Sequence, residues 1–157
     1  MNQNKKDAFF ENARLLYKAF QITPLMYGSL GLEYLTGENL NADDLDILIP
    51  EIFITERWNE FCTMLEENGY TLTDEHEHTF TKDGIEYSYA SIENLEPFAD
   101  IPLSEIKNLE LDGTFFRLLS LEQYLKVYEA SSKDGYRVHN RNKKDFEKIE
   151  FIREKLS

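Results

Sequence analysis

The sequence predicts an α+β domain: a mixed β-sheet flanked by helices, with the N-terminal and C-terminal helices packing on it. Three observations carry that prediction. Short apolar runs that stop at Gly or Pro alternate with amphipathic stretches of helical period. Two Asp-Gly dipeptides, Asp83-Gly84 and Asp112-Gly113, stand between strand-like segments and favour tight hairpins. The length of 157 residues suits one domain with a core of its own.

In chain order, "DAFFENARLLYKAF" places Phe9, Ala13, Leu16 and Phe20 on one helical face. "TPLMYG" is a short apolar strand stopped by Gly28, and "SLGLEYLTG" is a helix with Ser29 as N-cap and Gly37 near its end. "DLDILIP" is a second strand, closed by Pro50. Ile54, Trp58, Phe61, Cys62 and Leu65 keep helical spacing until Gly69. "YTLTDEHEHTFTKDGIEYSYAS" alternates around Asp83-Gly84 as two antiparallel strands. "SIENLEPFA" is a short helix capped by Ser91, and "LELDGTFFRLLS" is a second hairpin. "LEQYLKVYEA" and "KKDFEKIEFIREKL" are two closing helices. With no repeat and no low-complexity linker, residues 1–157 read as a single domain.

Composition narrows the function classes. With 41% apolar and 30% charged residues the chain suits a compact globule rather than a disordered one. "MNQNKKDAFF" lacks the apolar segment of a signal peptide, and no apolar run approaches the roughly 18 residues of a membrane span. The expectation is a cytoplasmic protein with no membrane partner. Cys62, the only cysteine, has no internal disulfide partner and reads as a buried free thiol. A net charge of -13 repels duplex nucleic acid and anionic membranes. The charge is uneven: residues 1–125 hold 8 basic and 24 acidic side chains, residues 126–157 hold 9 and 6. The basic end suits an anionic ligand.

Asp44 and Asp46 stand one residue apart in an apolar run. On a strand they share a face while Leu45 and Ile47 turn to the core. Two such carboxylates repel unless a cation lies between them, and hard oxygen donors suit Mg²⁺. A solvated loop running into an edge strand accounts for the same local pattern. Upstream, Gly28 ends a strand and Ser29 opens a helix, an arrangement whose backbone N–H groups can hold phosphate; by itself it is also an ordinary strand-to-helix turn.

Taken together, "YGSLGLEYLTGENLNADDLDILIP" resembles the signature of the nucleotidyltransferase superfamily, the polymerase-beta-like fold of aminoglycoside, lincosamide and toxin-antitoxin nucleotidyltransferases. The resemblance implies phosphate contacts at Gly28 and Ser29 and metal ligands at Asp44 and Asp46. "DGTFFRLLSLEQYLKVYEASS" followed by "RNKKDFEKIEFIREKL" is similar to the C-terminal strand and helices of small members, aligning Lys126 and the Lys144-Asp145 pair. The implied chemistry is nucleotidyl transfer: Mg²⁺ ions on three carboxylates assist attack of a substrate hydroxyl on the α-phosphate of a nucleoside triphosphate, and pyrophosphate leaves. Lys126, with Arg137 or Lys144, would neutralise the triphosphate; each of these also reads as an ordinary exposed cation.

The family's third carboxylate belongs on a later strand. In "GIEYSYAS", Ile85, Tyr87 and Tyr89 share one face and Glu86, Ser88 and Ala90 the other, so only Glu86 qualifies. If Ser88 is the counterpart, a ligand has been lost. Two functions follow. One is a transferase that moves a nucleoside monophosphate to a hydroxyl of a small molecule or partner protein, the acceptor unspecified, with Asp44, Asp46 and Glu86 as catalytic metal ligands. The other is a degenerate domain that binds a nucleotide or partner protein. His76 and His78 would share a strand face, but no Cys or third His completes a metal motif, so a polar face near the cleft mouth is the better reading. Tyr87, Tyr89, Phe115, Phe116, Tyr124 and Tyr128 read as core or cleft wall rather than a base-stacking platform.

Overall fold

The central strands send apolar side chains to two opposite layers, and helices cover both. The computed structural model describes residues 3–133 and 142–157. Among the described residues, six α-helices accompany the sheet: α1 (Gln3–Phe20), α2 (Gly28–Thr36), α3 (Trp58–Glu67), α4 (Leu95–Ala99), α5 (Leu121–Lys133) and α6 (Asn142–Leu156). The strands are β1 (Leu25–Tyr27), β2 (Leu45–Ile49), β3 (Thr71–Asp74), β4 (Thr79–Lys82), β5 (Ile85–Ser91), β6 (Lys107–Leu111) and β7 (Thr114–Leu118), in the order β3-β4-β5-β2-β1-β7-β6. β2 runs parallel to β5, β1 parallel to β7, and the other pairs are antiparallel, so the sheet is mixed as expected.

One layer buries Phe9, Ala13 and Leu16 of α1 with Phe61 and Leu65 of α3 against Met26, Ile47, Tyr87, Tyr89 and Phe116. The other buries Leu32, Leu95, Tyr124, Val127 and Ile152 against Leu25 and Leu48. Each large apolar side chain so buried contributes about 1.5–3 kcal/mol. Both Asp-Gly dipeptides form the expected hairpins, with positive φ at Asp83 and Gly84 and at Asp112 and Gly113, the geometry that matches strand twist. Cys62 is a buried free thiol. Among the described residues, no helix is long and apolar enough to cross a membrane.

The structure corrects several local expectations. Residues 71–91 form three strands, not two. Asp74 Oδ1 accepts the Glu77 N–H at 3.1 Å, closing a turn between β3 and β4. His76 and His78 fall in that turn instead of sharing a strand face, and His78 has φ 54°. Ile54 ends a separate 3₁₀ turn, Glu51–Ile54, ahead of α3. Ser91 precedes another such turn, Ile92–Asn94, with no side-chain cap. Ser29 is not an N-cap: α2 begins at Gly28, Tyr27 occupies the cap, and no side chain closes it. Gly37 does end α2, in the left-handed conformation. Asp44 sits in a bend immediately before β2.

Candidate functional site

Strand register builds the site. Tyr27 pairs with Asp46, Asp46 with Ser88, and Ser88 with Thr79, so these four side chains form a row across β1, β2, β5 and β4 on one sheet face. The Ser88 and Thr79 hydroxyls lie 2.8 Å apart. Asp46 comes up at the β1–α2 turn. Gly28 there has φ +65°, and a Cβ on it would lie 2.6 Å from Asp46 Oδ2. The Asp46 carboxylate therefore packs directly on the Gly28 backbone, so a side chain at that position would have to displace it.

A cavity of about 670 Å³ opens over this turn, a size suited to a small-molecule ligand. Gly28, Ser29, Asp43, Asp44 and Asp46 form its sheet side. Tyr124, Val127, Tyr128 and Ser131, one helical face of α5, form a second wall, with Lys144, Asp145, Glu147 and Lys148 of α6 and Phe98 of α4 completing it. Five acidic and two basic side chains thus line it, which favours a cation as part of whatever binds. Asp44 and Asp46 are both exposed to this space. Their all-oxygen donor set fits Mg²⁺, which takes one or two carboxylates and completes its shell with water and phosphate.

Two buried groups set the position of these residues. Glu33 is fully buried on α2, and its Oε1 accepts the N–H groups of Leu40 at 2.8 Å and Ala42 at 3.1 Å. Lys5 Nζ donates to the Ala42 carbonyl at 2.6 Å. The segment that delivers Asp43 and Asp44 is thereby held from beneath. On the other wall, the Tyr124 hydroxyl donates to the Met26 carbonyl at 2.7 Å, and burial pushes its pKa well above the ordinary phenol value.

Of the residues named from sequence, Gly28, Ser29, Asp44, Asp46 and Lys144 meet in this cavity. Glu86 is exposed on the same sheet face but does not line it; its register partner on β4 is Thr81, while Ser88 stands beside Asp46. Among the described residues, no three His, Cys, Asp or Glu side chains converge as a metal cage. Lys126 also lies outside. Its Nζ donates to the Asp100 carbonyl at 3.0 Å, because position 126 falls off the α5 face made by residues 124, 127, 128 and 131. Arg137 lies outside the described residues. The His76 side chain is almost fully exposed, and the His78 ring packs edge-on against Trp58 at 4.9 Å. Glu33 and Phe98 escape sequence reasoning. The available signal for Glu33 was an acid within the apolar stretch "LGLEYL"; Phe98 carries no local signal.

No family model matches the chain. Among solved structures it is similar to an antigenic nucleotidyltransferase-like protein from Paracoccidioides brasiliensis, with TM-score 0.65 and 14% identity, covering 94% of this chain and 74% of the other. It is also similar to the antibiotic-resistance factor ANT(2'')-Ia, with TM-score 0.62 and 14% identity, covering 99% and 86%. The fold is therefore nucleotidyltransferase-like, as the sequence signature implied. Among curated proteins it is 40% identical over 144 residues, 92% of each chain, to the uncharacterized protein YnaI of Bacillus subtilis (strain 168). At that identity and coverage, the chain belongs to the same family as Bacillus subtilis YnaI.

Proposed function

We propose that the cavity binds a magnesium–nucleoside triphosphate and that the protein transfers the nucleoside monophosphate to a hydroxyl of a small molecule or partner protein. One observation carries this reading: the Asp46 carboxylate lies against the Gly28 backbone at the start of α2, with Asp44 and Ser29 in the same cavity. In this reading Asp44 and Asp46 supply carboxylates to a metal, and the start of α2 supplies N–H groups to a phosphate of the same ligand.

In this reading Asp44 and Asp46 hold the metal, which when bound withdraws charge from the α-phosphate. The first N–H groups of α2, at Gly28 and Ser29, donate to phosphate oxygens, and Lys144 neutralises the triphosphate. Lys126 ties α5 to the end of α4 through Asp100. Glu86, exposed on the same sheet face outside the cavity wall, is the third carboxylate of this reading beside Asp44 and Asp46, and the proton of the attacking hydroxyl leaves to water. The acceptor oxygen bonds to the α-phosphorus, the bond to the β-phosphate oxygen breaks, and pyrophosphate leaves.

A second reading, nucleotide binding without transfer, is favoured by the register that puts Ser88 beside Asp46 and leaves Glu86 off the cavity wall. Thermal shift with ATP, GTP, CTP or UTP plus Mg²⁺ tests what the readings share: binding to the folded state raises Tm, and no rise with any of the four rejects both. Asp46→Asn should remove the Mg²⁺-dependent part of the rise. Pyrophosphate release above the Asp46→Asn background, assayed with a Bacillus subtilis extract that retains both small molecules and proteins as the source of acceptors, separates them. Transfer predicts release that Glu86→Gln abolishes while the thermal shift survives. Binding alone predicts no release from the wild-type protein.

A further inference from the structure

Phe98 is a large aromatic side chain left 41% exposed on a short, well-anchored helix. Its neighbours Leu95 and Ala99 take the buried face of α4, which leaves Phe98 at the edge of that face, lining the cavity that holds Asp44 and Asp46. The helix is fixed at its end: Asp100 adopts the left-handed conformation, its N–H donates to the Glu96 carbonyl, and its own carbonyl receives Lys126 Nζ. Among the described residues, no aromatic ring packs on Phe98. Aromatic packing thus does not account for its placement, and the helix that carries it is tied down at its C-terminal end.

From this we infer that Phe98 is the stacking platform for the nucleobase. The inference rests on the proposed nucleotide-binding reading. A nucleoside triphosphate has a polar end that needs metal and N–H donors and a planar end that needs an apolar face. Asp44, Asp46 and Gly28-Ser29 serve the first; Phe98 stands elsewhere on the wall of the same cavity and serves the second. Stacking of this kind is tolerant of base identity, because every base has a π-face. Phe98 therefore contributes affinity for any nucleotide and none for the triphosphate group alone.

The test compares Mg²⁺-dependent binding of ATP and of inorganic tripolyphosphate, by calorimetry, to wild type, Phe98→Ala and Phe98→Trp. Phe98→Ala should weaken ATP about 10-fold or more and leave tripolyphosphate unchanged. Phe98→Trp should retain ATP affinity, and its added indole emission should be quenched by ATP and not by tripolyphosphate. Equal weakening of both ligands in Phe98→Ala marks a structural role and overturns the inference, as does unchanged ATP affinity. If wild type binds tripolyphosphate but no ATP more tightly, the stacking platform is overturned while the phosphate site stands. If wild type binds neither, the nucleotide reading falls first and this inference falls with it.

Discussion

Gly28 is where backbone conformation and site chemistry coincide. Its φ of +65° costs an L-residue about 1–2 kcal/mol, and a Cβ would also meet Asp46 Oδ2. Gly28→Ala should lower urea-unfolding stability by at least that amount and displace the Asp46 carboxylate, so the variant should show no nucleotide-dependent rise in Tm. Glu33 serves the site from the core. Glu33→Ala strands the N–H groups of Leu40 and Ala42 and should cost about 2–3 kcal/mol in the same assay. Glu33→Gln keeps an acceptor oxygen and should cost less. Cys62 is chemically quiet: burial, with Glu66 and Glu75 nearby, pushes its thiol pKa to about 11. At pH 8 the folded protein should react far more slowly with a thiol reagent than the same chain in guanidinium, because the thiolate is the nucleophile.

Between elements, the contact of α5 with α2 and β1 decides how the cavity walls stand. Gly31 lets α2 approach closely, since a Cβ there would overlap the Tyr124 hydroxyl and the Met26 carbonyl. Tyr124→Phe leaves that buried carbonyl without its side-chain donor and should cost about 1–3 kcal/mol. Gly31→Ala overpacks the crossing and should cost at least as much. Because one hydroxyl is common to both effects, the double variant should be less destabilised than the two single changes added together. Strict additivity in urea unfolding would show that the hydroxyl does not set the spacing of α2 and α5.

Across the whole molecule, burial raises the phenol pKa of Tyr70, Tyr87, Tyr89 and Tyr124. The folded chain therefore holds these protons to higher pH than the unfolded chain does. Stability from these groups is complete below the unfolded phenol value of about 10 and declines as pH rises above it. Alkaline titration followed at 295 nm should show Tyr70, Tyr87, Tyr89 and Tyr124 ionising only as near-UV circular dichroism is lost. Ionisation of all nine tyrosines near pH 10 with the fold intact would contradict this burial.

The sequence by itself determined what depends on neighbours in the chain. The Asp-Gly hairpins follow from two residues that adopt positive φ, and α1 and α5 follow from a helical period. The Gly28-Ser29 turn and the Asp44/Asp46 pair lie within one short segment. Only the tertiary structure decided that Asp44 precedes its strand, that the His76/His78 segment turns, and that Ser88 rather than Glu86 stands beside Asp46. It alone rotated Lys126 away from the cavity, placed Phe98 on its wall and buried Glu33 under the segment that carries Asp43 and Asp44. Register between β2 and β5 and the rotation of α5 are set by packing among residues dozens of positions apart, and local pattern carries no record of those contacts.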